Sequence, residues 1–275
     1  MVPGNAARAW RGSESPNAVG AGADTPALRV EGVSRSFGGV PAVTSLSLSV
    51  PAGRITGLIG PNGAGKTTVV NMISGFLKVS AGRILVGDRD LTTAEPRDLA
   101  HAGVARTFQN IRLIGDGTVL ENVVAGFHRH ERTGLTANLF GLPSARNERR
   151  DLEEQAMALL ERFEMTRLAG HRAASLSYGH QRRIEMMRAL ALKPSVLLLD
   201  EPVAGMNDSE ALSLAELFRS VAQQGVAILL IEHNMRFVMS LCENIYVLAS
   251  GELIAEGKPE EIGRHPRVIE AYLGS

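Results

Sequence analysis

The stretch GPNGAGKTTV, residues 60–69, contains the pattern G-x-x-x-x-G-K-[ST]. An apolar run from Ile55 to Ile59 precedes it and predicts a buried strand, whereas Lys66 to Ser74 predict a helix that ends at Gly75. This pattern binds phosphate when it lies between a strand and a helix, because its glycines let the backbone N–H groups turn toward phosphate oxygens. We therefore predict a nucleotide site at this loop.

Two side chains at the start of the predicted helix complete the expected phosphate site. Lys66 is expected to reach the β- and γ-phosphates, and the hydroxyl of Thr67 is expected to hold Mg²⁺. The helix N-terminus adds the positive end of its dipole, which favours an anion. The sequence thus predicts a nucleotide bound together with Mg²⁺.

Composition limits the other function classes. The chain has 275 residues, of which 44% are hydrophobic and 21% charged, so it can bury a sizeable core. Its formal net charge of +0 disfavours nucleic acid as the main partner. The single cysteine, Cys242, excludes an internal disulfide, and no apolar run reaches the ~18 residues of a membrane span. We expect a cytoplasmic protein that attaches to a membrane through a partner.

The chain divides into a tail and one α/β domain. Residues 1–26 are rich in Ala, Gly, Ser, Pro and Asn and predict a disordered N-terminal tail. Residues 27–275 predict a nucleotide-binding domain with an antiparallel β edge, in which residues 45–50 alternate between apolar and polar side chains. A helical subdomain is expected at approximately residues 110–194.

Within this predicted helical subdomain, Thr118 to Ala125 indicate a short helix. The stretch from His128 to Arg150 is charged and predicts a loop. A further helix is expected after this loop, because apolar residues recur on one helical face. Ser177 is expected to cap the helix that follows. The apolar residues of that face are Leu152, Ala156, Leu159 and Phe163.

Polar side chains follow the predicted core strands. Asp200 and Glu201 end one apolar strand, and His233 comes shortly after another. Ligands of an open α/β sheet bind beyond the carboxyl ends of the strands, so these side chains are expected beside the phosphate loop. Asp200 can hold Mg²⁺, Glu201 can activate a water as general base, and His233 can donate to the γ-phosphate. Gln109, after a third short strand, can complete the metal shell or orient the water.

The motifs together resemble those of the ABC-type ATPase domain in order and spacing, across nearly all of residues 27–275. The resemblance implies a phosphate-loop (RecA-like) core with an antiparallel β subdomain and a helical signature subdomain, and it implies ATP as the nucleotide. The matching segments are Gly60–Thr67, Gln109, Leu176–Gln181, Leu199–Pro202, Gly205–Asn207 and His233.

The resemblance also implies a second ATPase subunit, identical or paralogous. Residues 176–179 correspond to the family signature motif, in which Ser177 and the following backbone N–H groups, including that of Gly179, bind the γ-phosphate of ATP held by the opposite subunit. Phe37 matches the adenine-stacking aromatic, with an ordinary core phenylalanine as the alternative. Three positions depart from the family pattern, namely Tyr178, His180 and Asn207, where Gly, Gln and Asp are usual.

Further segments are similar to the ATPase subunits of branched-chain amino-acid importers, with urea importers and importers of other amides or amino acids as alternatives. These segments are residues 37–39, 118–123, 205–207, 231–235 and 266–274. This similarity implies attachment to transmembrane permease subunits at the cytoplasmic face of the plasma membrane, and indirect action with a periplasmic or extracellular substrate-binding protein. A soluble ABC-type ATPase without a transport role and a small phosphotransferase remain the competing classes.

The predicted nucleotide-binding residues are Phe37, Gly60, Asn62, Gly63, Ala64, Gly65, Lys66, Thr67, Thr68, Ser177 and Gly179. The predicted catalytic residues are Glu201, His233 and Gln109, and the predicted metal ligands are Thr67, Gln109 and Asp200.

The surface from Asn110 to Phe127 is expected to receive a cytoplasmic helix of the permease, with Gln109 as the hinge before it. The alternative is that its apolar residues only pack the helical subdomain. The candidate apolar contacts are Leu113, Ile114, Val119 and Leu120.

Overall fold

The computed structural model describes residues 26–107, 113–128 and 143–273, without the side chains of residues 143–145. Backbone contacts divide the chain into two compact units. One unit comprises residues 21–109 and 194–275, and the other contains residues 110–193. The predicted tail lies outside the described residues apart from Pro26, which begins the first strand.

The larger unit contains a six-stranded sheet whose central strands are parallel. Its strands are β3 (Ile55–Ile59), β6 (Val104–Arg106), β7 (Val196–Asp200), β8 (Ala227–Ile231), β9 (Asn244–Ala249) and β10 (Glu252–Gly257). The sheet order is β10-β9-β3-β8-β7-β6, and β9 and β10 form an antiparallel hairpin. Every residue of β3, β7 and β8 is buried, as expected for parallel strands covered on both faces.

A four-stranded antiparallel sheet forms the predicted β edge. Its strands are β1 (Pro26–Phe37), β2 (Val40–Pro51), β4 (Ala81–Val86) and β5 (Arg89–Asp90), in the order β2-β1-β4-β5. The predicted alternation is confirmed in β2, because Leu46, Leu48 and Val50 are buried whereas Ser45 and Ser47 are exposed.

Helices of the larger unit begin at recognisable caps. The side chain of Asn207 accepts from the backbone N–H of Glu210, and the Glu210 carboxylate accepts from the Asn207 N–H, which together form a capping box. Gly75 has a φ of 74°, a conformation that ends the first helix. The helices are α1 (Lys66–Ile73), α2 (Pro96–His101), α6 (Asp208–Ala222), α7 (Met235–Leu241), α8 (Pro259–Ile262) and α9 (Pro266–Leu273).

The second unit is helical, with α3 (Val119–Ala125), α4 (Pro143–Arg162) and α5 (Tyr178–Ala191). The prediction of a loop up to Arg150 was wrong for residues 143–150, which form the first turns of α4. The stretch has few apolar residues, so its helical period was not visible, but Arg149 and Arg150 pair with glutamates four residues later. The predicted apolar face from Leu152 to Phe163 is buried.

No helix in the described ranges combines the length and the apolar character needed to cross a bilayer.

Candidate nucleotide site

The phosphate loop connects β3 to α1, and two of its glycines are required by their surroundings. A Cβ added at Gly60 would lie 2.0 Å from the carbonyl oxygen of Leu248. A Cβ added at Gly65 would lie 2.6 Å from the carbonyl oxygen of Ala42. Both glycines also have positive φ angles, 153° and 101°. Any side chain at either position would therefore displace the loop.

The side chain of Lys66 lies back over this loop. Its Nζ donates to the carbonyl oxygens of Gly60 at 2.7 Å and Pro61 at 2.9 Å. Burial lowers the pKa of Lys66, while the nearby carboxylates of Glu201 and Asp200 act in the opposite direction. The ammonium group is thus held among the groups that would surround bound phosphate.

The loop and both predicted carboxylates line one cavity of about 480 Å³. Two residues of β2, Pro41 and Ala42, contribute a further wall. The predicted residues that line this cavity are Asn62, Gly63, Ala64, Gly65, Lys66, Thr67, Thr68, Asp200 and Glu201. Residues with backbone N–H groups, a cation, hydroxyl groups and two carboxylates therefore line one cavity at the carboxyl end of the parallel strands.

Asp200 is bonded to an arginine that sequence reasoning missed. The Oδ2 atom of Asp200 lies 3.1 Å from a terminal nitrogen of Arg106, and the two side chains are only 6% and 9% exposed. Arg106 also donates to the side chains of Asn71 at 2.7 Å and Ser74 at 2.9 Å. The available signal was a basic residue at the end of β6, which pairs with β7. This arginine orients the carboxylate.

Glu201 adopts an unusual backbone conformation beside the cavity. Its φ is 48°, in the left-handed region that non-glycine residues seldom occupy. Its N–H donates to the carbonyl oxygen of Ile231 at 2.9 Å, which bonds the residue to the end of β8. The Nδ1 atom of His233 lies 3.6 Å from Oε1 of Glu201. The structure therefore brings together two of the predicted catalytic side chains, while Gln109 lies outside the described residues.

Phe37 ends β1, and the residue is 48% exposed. The neighbouring residue Ser36 pairs with Pro41, which lines the cavity. The guanidinium of Arg35 lies 5.2 Å from the centroid of the Phe37 ring. Phe37 is thus no core residue, and Arg35 lies over one face of its ring.

The predicted signature residues lie in the helical unit, at the start of α5. Ser177 caps this helix, as predicted, and its side chain accepts from the backbone N–H of His180. The Ser177 hydroxyl also lies 2.9 Å from Nδ1 of His180. His180 occupies the position at which the family pattern usually has Gln. Ser177 and Tyr178 are exposed, so this helix N-terminus is open to an anion from outside the chain.

Residues 43–204 match the family model described as "ABC transporter". The chain belongs to the ABC transporter ATP-binding family. This ABC ATPase therefore binds nucleotide and hydrolyses ATP to drive transport. Residues 252–275 also match the model described as "Branched-chain amino acid ATP-binding cassette transporter".

Individual relatives agree with this assignment. The high-affinity branched-chain amino acid transport ATP-binding protein LivG of Escherichia coli K12 is 42% identical over 250 residues, which cover 90% of this chain and 98% of LivG. The corresponding protein BraF of Pseudomonas aeruginosa is 41% identical with the same coverage. A crystal structure of the ADP conformation of an ABC transporter cassette is 32% identical, with a TM-score of 0.78, covering 91% of this chain and 99% of that chain. The predicted family and fold class are confirmed, and the phosphotransferase alternative was wrong.

Proposed function

We propose that this ABC ATPase powers an importer of branched-chain amino acids. The match of residues 252–275 to a model specific for such transporters carries the proposal. The names of LivG and BraF support it. In this proposal the chain sits on permease subunits at the cytoplasmic face of the plasma membrane and acts with a periplasmic or extracellular substrate-binding protein.

Uptake measured in parallel for four solutes tests the substrate. The chain is reconstituted in membranes with its permease and binding protein, and ATP-dependent uptake of leucine, isoleucine, valine and urea is compared. We expect uptake of the three amino acids and none of urea. Uptake of urea alone would contradict the substrate assignment but would leave the ATPase role unaffected.

The cavity residues suit a nucleotide with Mg²⁺. Lys66 would exchange its bonds to two loop carbonyls for bonds to the β- and γ-phosphates. The Thr67 hydroxyl and the Asp200 carboxylate are oxygen donors, the type of ligand that Mg²⁺ prefers, and they lie in the same cavity. Bound Mg²⁺ would neutralise negative charge on the phosphates. In the family pattern Gln109 is the third residue that would hold Mg²⁺, beside Thr67 and Asp200.

Glu201 and His233 are the proposed catalytic side chains. Glu201 takes a proton from the water that attacks the γ-phosphate, and His233 donates a hydrogen bond to a γ-phosphate oxygen as charge develops. The cavity position of Glu201 and its 3.6 Å separation from His233 support this pairing. Phe37, exposed near the cavity margin, would stack on adenine.

The signature residues would act on nucleotide bound by a second ATPase subunit. Ser177 is exposed at the N-terminus of the 14-residue helix α5, where backbone N–H groups and the helix dipole favour a phosphate. The Ser177 hydroxyl and the backbone N–H of Gly179 would contact the γ-phosphate of that nucleotide. The imidazole of His180, which contacts the Ser177 hydroxyl, would orient it.

Replacing Ser177 with Arg is expected to leave ATP binding by the single chain intact and to block closure of the ATPase dimer. The long side chain would occupy the space where the partner's γ-phosphate binds. Nucleotide titration of the isolated chain and size-exclusion chromatography with ATP measure the two effects, with Ser209→Arg, on α6, as the control. A monomer whose specific activity does not change with concentration would contradict the two-subunit proposal.

Permease docking is proposed for a surface of the helical unit. Ile114 is exposed, and Leu113 and Leu120 are partly exposed, so they can contact a partner. Val119 is fully buried, so its prediction as a surface contact was wrong. It packs inside the unit because it faces inward from the first turn of α3.

A cavity of about 630 Å³ extends this surface onto α4. Leu120, Met157 and Ala158 supply apolar lining, and Glu161 supplies an acidic group. The cavity is also lined by Glu153 and Glu154, which pair with Arg149 and Arg150. We propose that this cavity receives an apolar face of a permease helix with a basic residue opposite Glu161, since opposite charges orient such contacts.

Cysteines introduced at Ile114 and Leu120 are expected to crosslink to a membrane chain in reconstituted transporter. The native Cys242 should remain unreactive, because burial raises the pKa of its thiol to about 12. In the same system, Glu161→Lys should reduce transport while basal ATP hydrolysis continues, with exposed Glu216→Lys on α6 as control. If no crosslink to a membrane chain forms, this docking surface is rejected.

A further inference from the structure

A buried carboxylate joins the two segments that carry the proposed catalytic side chains. Glu232 follows β8 directly and its side chain is 0% exposed. Its Oε1 atom accepts from the backbone N–H of Val203 at 3.2 Å. Val203 lies in the segment that follows Glu201. The Oε2 atom of Glu232 accepts from the backbone N–H groups of His233 at 3.1 Å and Asn234 at 3.3 Å. Each oxygen therefore bonds to a different segment.

The Val203 contact anchors a compact turn. Within this turn the N–H of Ala204 donates to the carbonyl oxygen of Glu201 at 3.3 Å, and the N–H of Met206 donates to that of Val203 at 3.1 Å. Glu201 itself holds its left-handed φ of 48° while bonded to Ile231. A strained residue persists only where its surroundings hold it in place. Glu232 supplies one of these constraints.

His233 lies between two carboxylates. Its Nδ1 atom is 3.6 Å from Oε1 of Glu201 and 3.8 Å from Oε2 of Glu232. Burial raises the pKa of Glu232, whereas the backbone donors of Val203, Asn234 and His233 and the charge of His233 oppose that change. Burying a carboxylate is costly unless it is hydrogen-bonded, so an apolar residue would suit a purely packing role better. The bonds to both segments indicate a role in holding them together.

We propose that Glu232 is a positioning residue for ATP hydrolysis, which holds the His233 backbone in register with the segment that carries Glu201. This inference rests on the roles proposed above for Glu201 and His233. When His233 contacts the γ-phosphate, the bonds of Glu232 to both segments would also constrain the segment that carries Glu201, the proposed general base. The nucleotide itself would not touch Glu232.

Glu232→Gln is the first test, because it keeps the volume but leaves only one accepting oxygen. The amide NH₂ would face a backbone N–H, so one of the two attachments is lost. Turnover should fall about tenfold, and the affinity for a non-hydrolysable ATP analogue should stay within about twofold of wild type. Glu232→Asp keeps the charge but withdraws the carboxylate, and it should lower turnover as well.

A double-mutant cycle with His233→Ala separates positioning from general structural damage. If Glu232 acts through His233, the Glu232→Gln change should cost less than about twofold in the His233→Ala background. Tyr246→Phe is the control for structural damage, because the Tyr246 hydroxyl accepts from the Ser49 N–H at 3.2 Å and does not line the nucleotide cavity. This control should lower the unfolding temperature and leave turnover within about twofold.

The outcomes distinguish the inference from the proposed function. The positioning role alone would be overturned if Glu232→Gln lowered turnover by the same factor in the wild-type and His233→Ala backgrounds. Normal turnover in Glu232→Gln would also overturn it. Normal turnover in His233→Ala would overturn the role of His233 and, with it, this inference. All assays use the full chain, and thermal unfolding confirms that each variant is folded.

Discussion

Replacing Glu201 with Gln is expected to lower ATP turnover by ~10²-fold or more while ATP still binds. The amide keeps the shape of the side chain but cannot accept the proton of the attacking water. The loop, Lys66 and Asp200 are unchanged, so the phosphate contacts of the cavity remain. Single-turnover hydrolysis and nucleotide titration measure the two quantities separately. Nucleotide should then trap a closed dimer, which size-exclusion chromatography detects.

The matched control for this change is Glu243→Gln. Glu243 is an exposed acid that pairs with Arg54, outside the nucleotide cavity, so its neutralisation should leave turnover nearly unchanged. If Glu201→Gln turned over ATP at a rate near that of wild type, the general base would have to be a different group.

Replacing Lys66 with Ala is expected to weaken ATP binding itself, by about 10- to 100-fold. The substitution removes the cation that would bond the β- and γ-phosphates, and it also removes the two bonds that hold the loop carbonyls of Gly60 and Pro61. Charge-assisted hydrogen bonds are stronger than neutral ones, so removal of the Lys66 ammonium group should weaken ATP binding more than removal of a hydroxyl group would. Titration with a non-hydrolysable ATP analogue measures the affinity.

Lys78→Ala controls for the loss of a positive charge, since Lys78 is an exposed lysine paired with Glu95. Its ATP affinity should match wild type. Unchanged affinity in Lys66→Ala would contradict the role assigned to this lysine, whereas a loss of affinity in both variants would indicate a general electrostatic effect.

Much of the fold was predictable because its signals are local. The mainly apolar run at residues 55–59 and the apolar run at residues 227–231 became buried parallel strands, and the alternation at residues 45–50 became a half-buried antiparallel strand. The caps at Asn207 and Ser177 were predictable because each depends on side chains within three residues. The start of α4 was missed, since charged pairs stabilise it in place of an apolar stripe.

The sequence by itself determined the phosphate loop, the order of the strands along the chain and the carboxylates that follow them, since these depend on neighbouring residues. Tertiary structure alone decided which groups act on those carboxylates. Arg106 reaches Asp200 across 94 positions of the chain, and Glu232 reaches Val203 across 29. No local pattern encodes such contacts, because they exist only after the sheet places β6, β7 and β8 side by side. The left-handed conformation of Glu201 has the same origin, since its N–H is bonded to the end of a neighbouring strand.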